Sequence, residues 1–236
     1  MPTALKDRLL AFLVHLGLSC LIALCVVGLV FFVWYPAPLH RALGVTDIFL
    51  LLLLVDVVMG PVLTAIVFKK GKRTLLLDLG TIALLQLSAL AYGLYTLSEA
   101  RPGWLVFGGY HFELVKVSDI EPVAHTSAPW TGPLWVAIPP ANNLNKILGL
   151  NPTEDPYYQP ASYVSLNSRI EDLKNRAQPL QGLHNSSNTA EQLAAVLKQW
   201  PQADAWMPLR GRELDMVVLL QRDSGQVVAM ADLRPW

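Results

Sequence analysis

A single carboxylate, Asp56, stands near the centre of an apolar run from Ile48 to Phe68, and Gly60-Pro61 follow about one helical turn later. An ionisable group in a hydrocarbon interior costs a few kcal/mol, about 2.5–3.5 on insertion scales, so it needs a use. Three uses fit: a proton or ion path, a polar bond to a neighbouring helix, or a contact offered to another protein's helix. His15, Asp78 and Gln86 are further polar side chains in apolar runs. Elsewhere, His111 and Glu113 share one face of an expected strand, with Asp119, Glu121 and His125 downstream, the nearest approach to an acid/base or metal cluster. That spacing arises readily by chance, and an exposed polar strand face explains it as well. The sequence has no P-loop, no G-x-S-x-G, no H-E-x-x-H and no C-x-x-C, so it reads as a non-enzyme with no cofactor and no metal.

The elements that must position these residues come in two unlike halves, hidden by a balanced overall charge of 18 basic and 18 acidic residues. Three apolar stretches, about 9–35, 48–68 and 75–97, are each long enough to cross a bilayer. The first follows Lys6 and Arg8 as a secretory signal would. Its apolar run is much longer than a signal's core, though, and it ends in aromatics and Pro36, so a permanent anchor is expected. Phe31, Phe32, Trp34 and Tyr35 read as an interfacial aromatic belt. Cys20 and Cys25 lie in this stretch and read as small packing residues.

Lys6 and Arg8, with Lys69, Lys70, Lys72 and Arg73, fall on one side of the membrane, while Arg41 and Arg101 fall on the other. The positive-inside rule then places the N-terminus in the cytoplasm and everything after Leu97 outside, in a bacterium the periplasm. The expected organisation is a membrane domain over 1–98 and a periplasmic domain over 99–236. At about 1.5 Å per residue, Asp56 lies about 18 Å from the cytoplasmic end of its helix and Gln86 about 16 Å from the start of the third, so the two can meet. His15 and Asp78, at depths of about 9 and about 5 Å, can form a second polar contact. Either pair can simply join helices. Alternatively Asp56 is left for another protein, with Gly60 and Pro61 giving room for close approach, although Gly60-Pro61 read equally as an ordinary kink of the kind membrane helices tolerate.

The second half reads as α+β. A hairpin is expected over Trp104–Phe107 and Tyr110–Val117, turning at Gly108-Gly109, with Phe112 and Leu114 on one face and His111, Glu113 and Val115 on the other. Pro122, Pro129, Pro133, Pro139 and Pro140 then exclude a long helix or a central strand. Two helices are expected, about 162–177 and 189–200, the second capped by Asn188 or Thr189 and stopped by Pro201. Strands over Asp215–Gln221 and Gln226–Asp232, turning through Asp223-Ser224-Gly225, complete an antiparallel sheet with helices on one face. Basic residues in this half are scattered among acids, which argues against nucleic acid.

Several runs, taken together, resemble one family. Arg8-Leu9-Leu10-Ala11-Phe12-Leu13-Val14-His15, Phe32-Val33-Trp34-Tyr35-Pro36, Val55-Asp56-Val57-Val58-Met59-Gly60-Pro61, Asp78 and Leu85-Gln86-Leu87 are similar to type IV pilin accessory proteins of the TfpX/TfpZ kind. So are Met207-Pro208-Leu209-Arg210-Gly211-Arg212, Asp223-Ser224-Gly225 and Asp232-Leu233-Arg234-Pro235-Trp236. The resemblance implies an inner-membrane protein with a periplasmic domain, needed in a chaperone-like way for a major pilin to be stable or assembled into the pilus (fimbrium). Its partners would be the pilin's membrane helix and periplasmic head, besides the lipid bilayer. Two other classes compete: a small sensor or transporter subunit with Asp56, His15 and Asp78 as a proton path, and a membrane-anchored hydrolase using His111 and Glu113.

Overall fold

The computed structural model describes residues 3–120, 128–140, 155–185 and 187–236. Glu121 and His125 lie outside them. Three long helices carry the apolar stretches. Helix α1 (Thr3–Gly28) continues as a π-helical segment (Leu29–Trp34), and α3 (Val45–Val67) and α4 (Leu75–Ala100) are the other two. Each is long and apolar enough to span a bilayer, as Ala4–Trp34, Val45–Val67 and Leu75–Ala100. A four-residue helix, α2 (Leu39–Ala42), follows a cis Ala37-Pro38 bond.

The chain divides into two compact units, residues 1–32 with 45–98 and residues 33–44 with 99–236. A single boundary at 98/99 therefore does not describe it. The segment 33–44 belongs to the second unit because Leu39 and Ala42 are fully buried in that unit's core. The Ala42 carbonyl also accepts from the backbone N–H groups of Arg212 and Glu213, at 3.1 and 3.0 Å.

In the first unit, α1 and α3 pack antiparallel. Arg8 meets the Phe68 carbonyl, His15 meets Thr64, and the Phe31 and Phe49 rings meet edge to face at 5.6 Å. The few residues buried here include the small or weakly polar Ser19, Gly60, Pro61 and Thr64 beside Val26, Val30, Phe49 and Ile82, whereas leucines on all three helices face outward. That inversion is expected where the solvent is hydrocarbon.

The second unit is α+β, built on a sheet curled into a half-barrel. Its strands are β1 (Pro102–Phe107), β2 (Phe112–Lys116), β3 (Leu134–Ala137), β4 (Val164–Ser165), β5 (Gln178–Pro179), β6 (Ala205–Arg210), β7 (Met216–Gln221) and β8 (Gln226–Ala231). They run in the order β4-β3-β1-β2-β6-β7-β8, with β5 on β6. The sheet is mixed rather than antiparallel, since β1 pairs parallel with β3 and β2 parallel with β6. Each parallel pair is joined by a long crossover, which a local hairpin signal cannot reveal. Strand β3 lies inside the proline-marked stretch. Pro133 and Pro139 flank it rather than interrupt its ladder, so this short strand sits between β1 and β4 although a central strand was not expected there.

Alternation of side chains separates two packed faces. Leu105, Phe107, Phe112, Leu114, Met207 and Val218 form one core, which α2 joins. On the opposite face, helix α6 (Ala190–Gln199) docks through Leu193, Val196 and Leu197 onto Trp206, Val217 and Leu219. Thr189 caps this helix in a reciprocal capping box with Gln192. The other expected helix is shorter than its pattern suggested: 3₁₀ turns and β4 occupy residues 160–169, and helix α5 covers only Ile170–Arg176.

Candidate functional site

The polar residues of the first unit gather where α3 meets its two neighbours. Gln86 on α4 donates from its amide nitrogen to the Asp56 carbonyl at 2.9 Å, and the Asp56 carboxylate interacts with the same amide and, at longer range, with His15. Gly60 explains how Gln86 gets there. A Cβ at residue 60 would stand 2.1 Å from the Gln86 amide, so the side chain rests on bare backbone. Pro61 is buried next to it and removes one helix hydrogen bond.

Two turns along α3, Thr64 Oγ1 lies 2.6 Å from His15 Nδ1. This hydroxyl, and not the Asp78 carboxylate that could reach the same depth, is the partner of His15. Asp78 is instead drawn to the loop between α3 and α4, 2.6 Å from Lys72 Nζ and 3.3 Å from Thr74 Oγ1. A flexible lysine stem brings its charge to that carboxylate at little cost. The structure thus joins Asp56, Gly60 and Gln86 in one contact, His15 and Thr64 in a second, and Asp78 and Lys72 in a third. Thr64 was missed because a threonine in an apolar helix is ordinary by composition. Its position eight residues after Asp56, on the same helical face, was the available signal.

In the second unit, His111 Nε2 stands 3.4 Å from Glu113 Oε2, and its ring stacks on Tyr157 at 5.2 Å. Burial, with the Glu113 charge second, pushes the Tyr157 phenol up to about 12. Tyr158 and Tyr163 shift upward as well, mainly through burial. Asp119 turns away from this group to Lys116 and Arg212, with the Arg212 pair at 2.8 Å. Among the described residues no three His, Cys, Asp or Glu side chains converge as a metal site. The arrangement packs residues 155–163 against the outer face of β1 and β2. An open cleft of about 580 Å³, lined by Trp135, Ser165, Leu166, Ile170, Gln226 and Val227 among others, brings no acid, base or nucleophile pair together.

What the two units define is an α+β protein with three candidate membrane helices that a few polar groups join. Comparison with known proteins sharpens this. A family model described as fimbrial assembly protein FimB matches residues 3–44. The fimbrial assembly protein of serogroup E1 from Dichelobacter nodosus is 29% identical over 195 residues, 76% of this chain and 75% of that protein. The serogroup I protein is 38% identical over 109 residues, 45% of this chain and 42% of that protein. The protein of serogroups C1 and C2 is 38% identical over 109 residues, 83% of its own length. The chain belongs to this family of fimbrial assembly proteins. No solved structure matches it.

Proposed function

We propose that this chain is an accessory protein of the TfpX/TfpZ kind, which keeps a cognate type IV major pilin stable or competent for assembly and performs no catalysis. In this reading it sits in the bacterial inner membrane with Lys6, Arg8 and the Lys69–Arg73 loop in the cytoplasm and the second unit in the periplasm. The observation that carries the reading is the similarity to fimbrial assembly proteins over about three quarters of the chain.

The geometry favours a helix as partner in the membrane. Gly60 and Pro61 are covered from within, Gly60 by Gln86, so the open flank beside Asp56 is the row Val55, Val58 and Met59, all exposed. A pilin's membrane helix lying along that flank would find Asp56 half-exposed and would need a polar or cationic group at that depth to meet it. The half-barrel unit is then available to the pilin's head.

Deleting the gene and measuring pilin abundance and surface pili tests the reading. Both should fall, and unchanged pilin and pili would overturn it. Within the protein, Asp56→Asn at normal abundance should reduce piliation, and a photo-crosslinker at Met59 should capture pilin. Full piliation with Asp56→Asn would reduce Asp56 to a brace between helices.

A further inference from the structure

Two of the spans open directly into the second unit, the first at Trp34 and the third at Ala100. One loop of that unit, residues 128–134, is fastened to the residues at both openings. The Trp130 ring meets Trp34 edge to face at 5.4 Å, and the Gly132 N–H donates to the Val33 carbonyl at 2.8 Å. From the other side, Arg101 Nε donates to the Pro129 carbonyl at 3.2 Å, and its guanidinium lies 5.5 Å from the centre of the Trp130 ring.

The aromatic residues at the end of the first span do not do what their position suggests. Trp34 and Tyr35, expected in an interfacial belt, are buried in the second unit. Trp130 stands outside Trp34 with 61% of its surface exposed, and Leu134, at the start of β3, is 50% exposed. An indole with an apolar body and one N–H is the side chain most enriched where hydrocarbon gives way to headgroups. The headgroup layer is about 5–7 Å thick on each side of the hydrocarbon core. Trp34 closes a helix long and apolar enough to cross a bilayer, so a loop whose Trp130 ring lies 5.4 Å from it is held beside the end of that helix.

We propose that residues 128–134 form a membrane-docking loop, with Trp130 and Leu134 seated in the headgroup region of the bilayer that the three helices cross. Arg101 fixes the loop from behind, and the left-handed Gly132, with φ of 53°, turns the chain back into β3. The sheet supplies an internal reference. Strand β1 starts at this end and β3 runs parallel to it, so the β7–β8 turn at Asp223 lies at the opposite end of the sheet. The proposal requires only that the helices span a bilayer, and it is independent of any pilin.

The full chain, with Cys20 and Cys25 replaced by alanine, is reconstituted into phosphatidylcholine–phosphatidylglycerol vesicles. A polarity-sensitive thiol probe is placed at Trp130→Cys, Leu134→Cys or Asp223→Cys in turn. Probes at 130 and 134 should emit to the blue and be quenched several-fold more by lipid nitroxides near the headgroup than by aqueous iodide. The probe at 223 should show the reverse. Leu134→Cys leaves the Trp130–Trp34 contact intact, so the test survives a misfolded Trp130 variant. Probes at 130 and 134 that are open to iodide, or shielded from both quenchers, would overturn the proposal.

Discussion

The two units treat leucine in opposite ways. In the first, Ser19, Gly60 and Thr64 are inside, and Leu76, Leu84 and Leu85 are among the most exposed side chains of the chain. In the second, Leu105, Phe107, Met207 and Val218 are inside, with the buried guanidinium groups of Arg101 and Arg169 as charged exceptions. The difference follows from the solvent each unit is built for. Water drives apolar surface together, so the half-barrel is held by area removed from it. Lipid gives no such drive, so the helices associate through close backbone approach and a few hydrogen bonds. Identical substitutions should therefore have unequal effects in the two units.

The largest effect is expected for Leu39→Ala. It removes a fully buried side chain from the second unit's core and should cost about 2–5 kcal/mol, read as earlier unfolding of the sheet by circular dichroism in denaturant. Retention of full stability would show that the segment 33–44 is not part of that core.

Gly60→Val comes next. Its side chain would meet only the far end of the flexible Gln86 side chain, which can turn aside, so the cost should be that of the displaced hydrogen bond, about 1–1.5 kcal/mol in detergent unfolding. Combining it with Gln86→Ala should cost little more than either change alone, because both remove the same hydrogen bond.

A pH-dependent loss in the second unit alone should follow. Tyr157 titrates near 10 in the unfolded chain and about 12 when folded. The folded state therefore holds its proton more tightly, and the stability this represents is complete below pH 10 and lost as pH rises through 12. Tyrosinate absorbance rising together with loss of the sheet, while the helices persist, is the expected record. Smaller still is Thr189→Ala, which removes the α6 cap and should cost about 1 kcal/mol. Leu84→Ala on the outward face of α4 should change stability by less than about 0.5 kcal/mol, a sharp contrast with Leu39→Ala.

The same contrast decides what was legible in the sequence. Length and apolarity reveal a span directly, so all three helices were readable, and the depth arithmetic brought Asp56 and Gln86 together because both are strongly polar. The strand pattern of β7 and β8, and the cap of α6, were equally plain because their partners are close in sequence. The His15–Thr64 contact was not readable, since a weakly polar hydroxyl carries no compositional signal. Strand β3 was concealed by the prolines that bound it, and the parallel pairs by crossovers too long for any local rule. The role of Leu39 and Ala42 was the least accessible. A short stretch between two spans looks like a connector until its contacts, made at residues past 205, are known.

The chain passes between the two units three times, and the segment 33–44 makes the earliest visit to the second. Arg41 reaches Asp232 at 2.9 Å across 191 positions of sequence. A ribosome adding about 5–20 residues per second needs about 10–40 s to make that interval. Throughout it, Leu39 and Ala42 lack the strands that later enclose them. The second unit consequently cannot close as it emerges, and its completion waits on nearly the last strand, long after the helices on either side of 33–44 have been made. A nascent chain arrested before β7 should therefore hold three complete helices and an unfinished barrel, with an apolar helical turn standing open for any holdase that waits there.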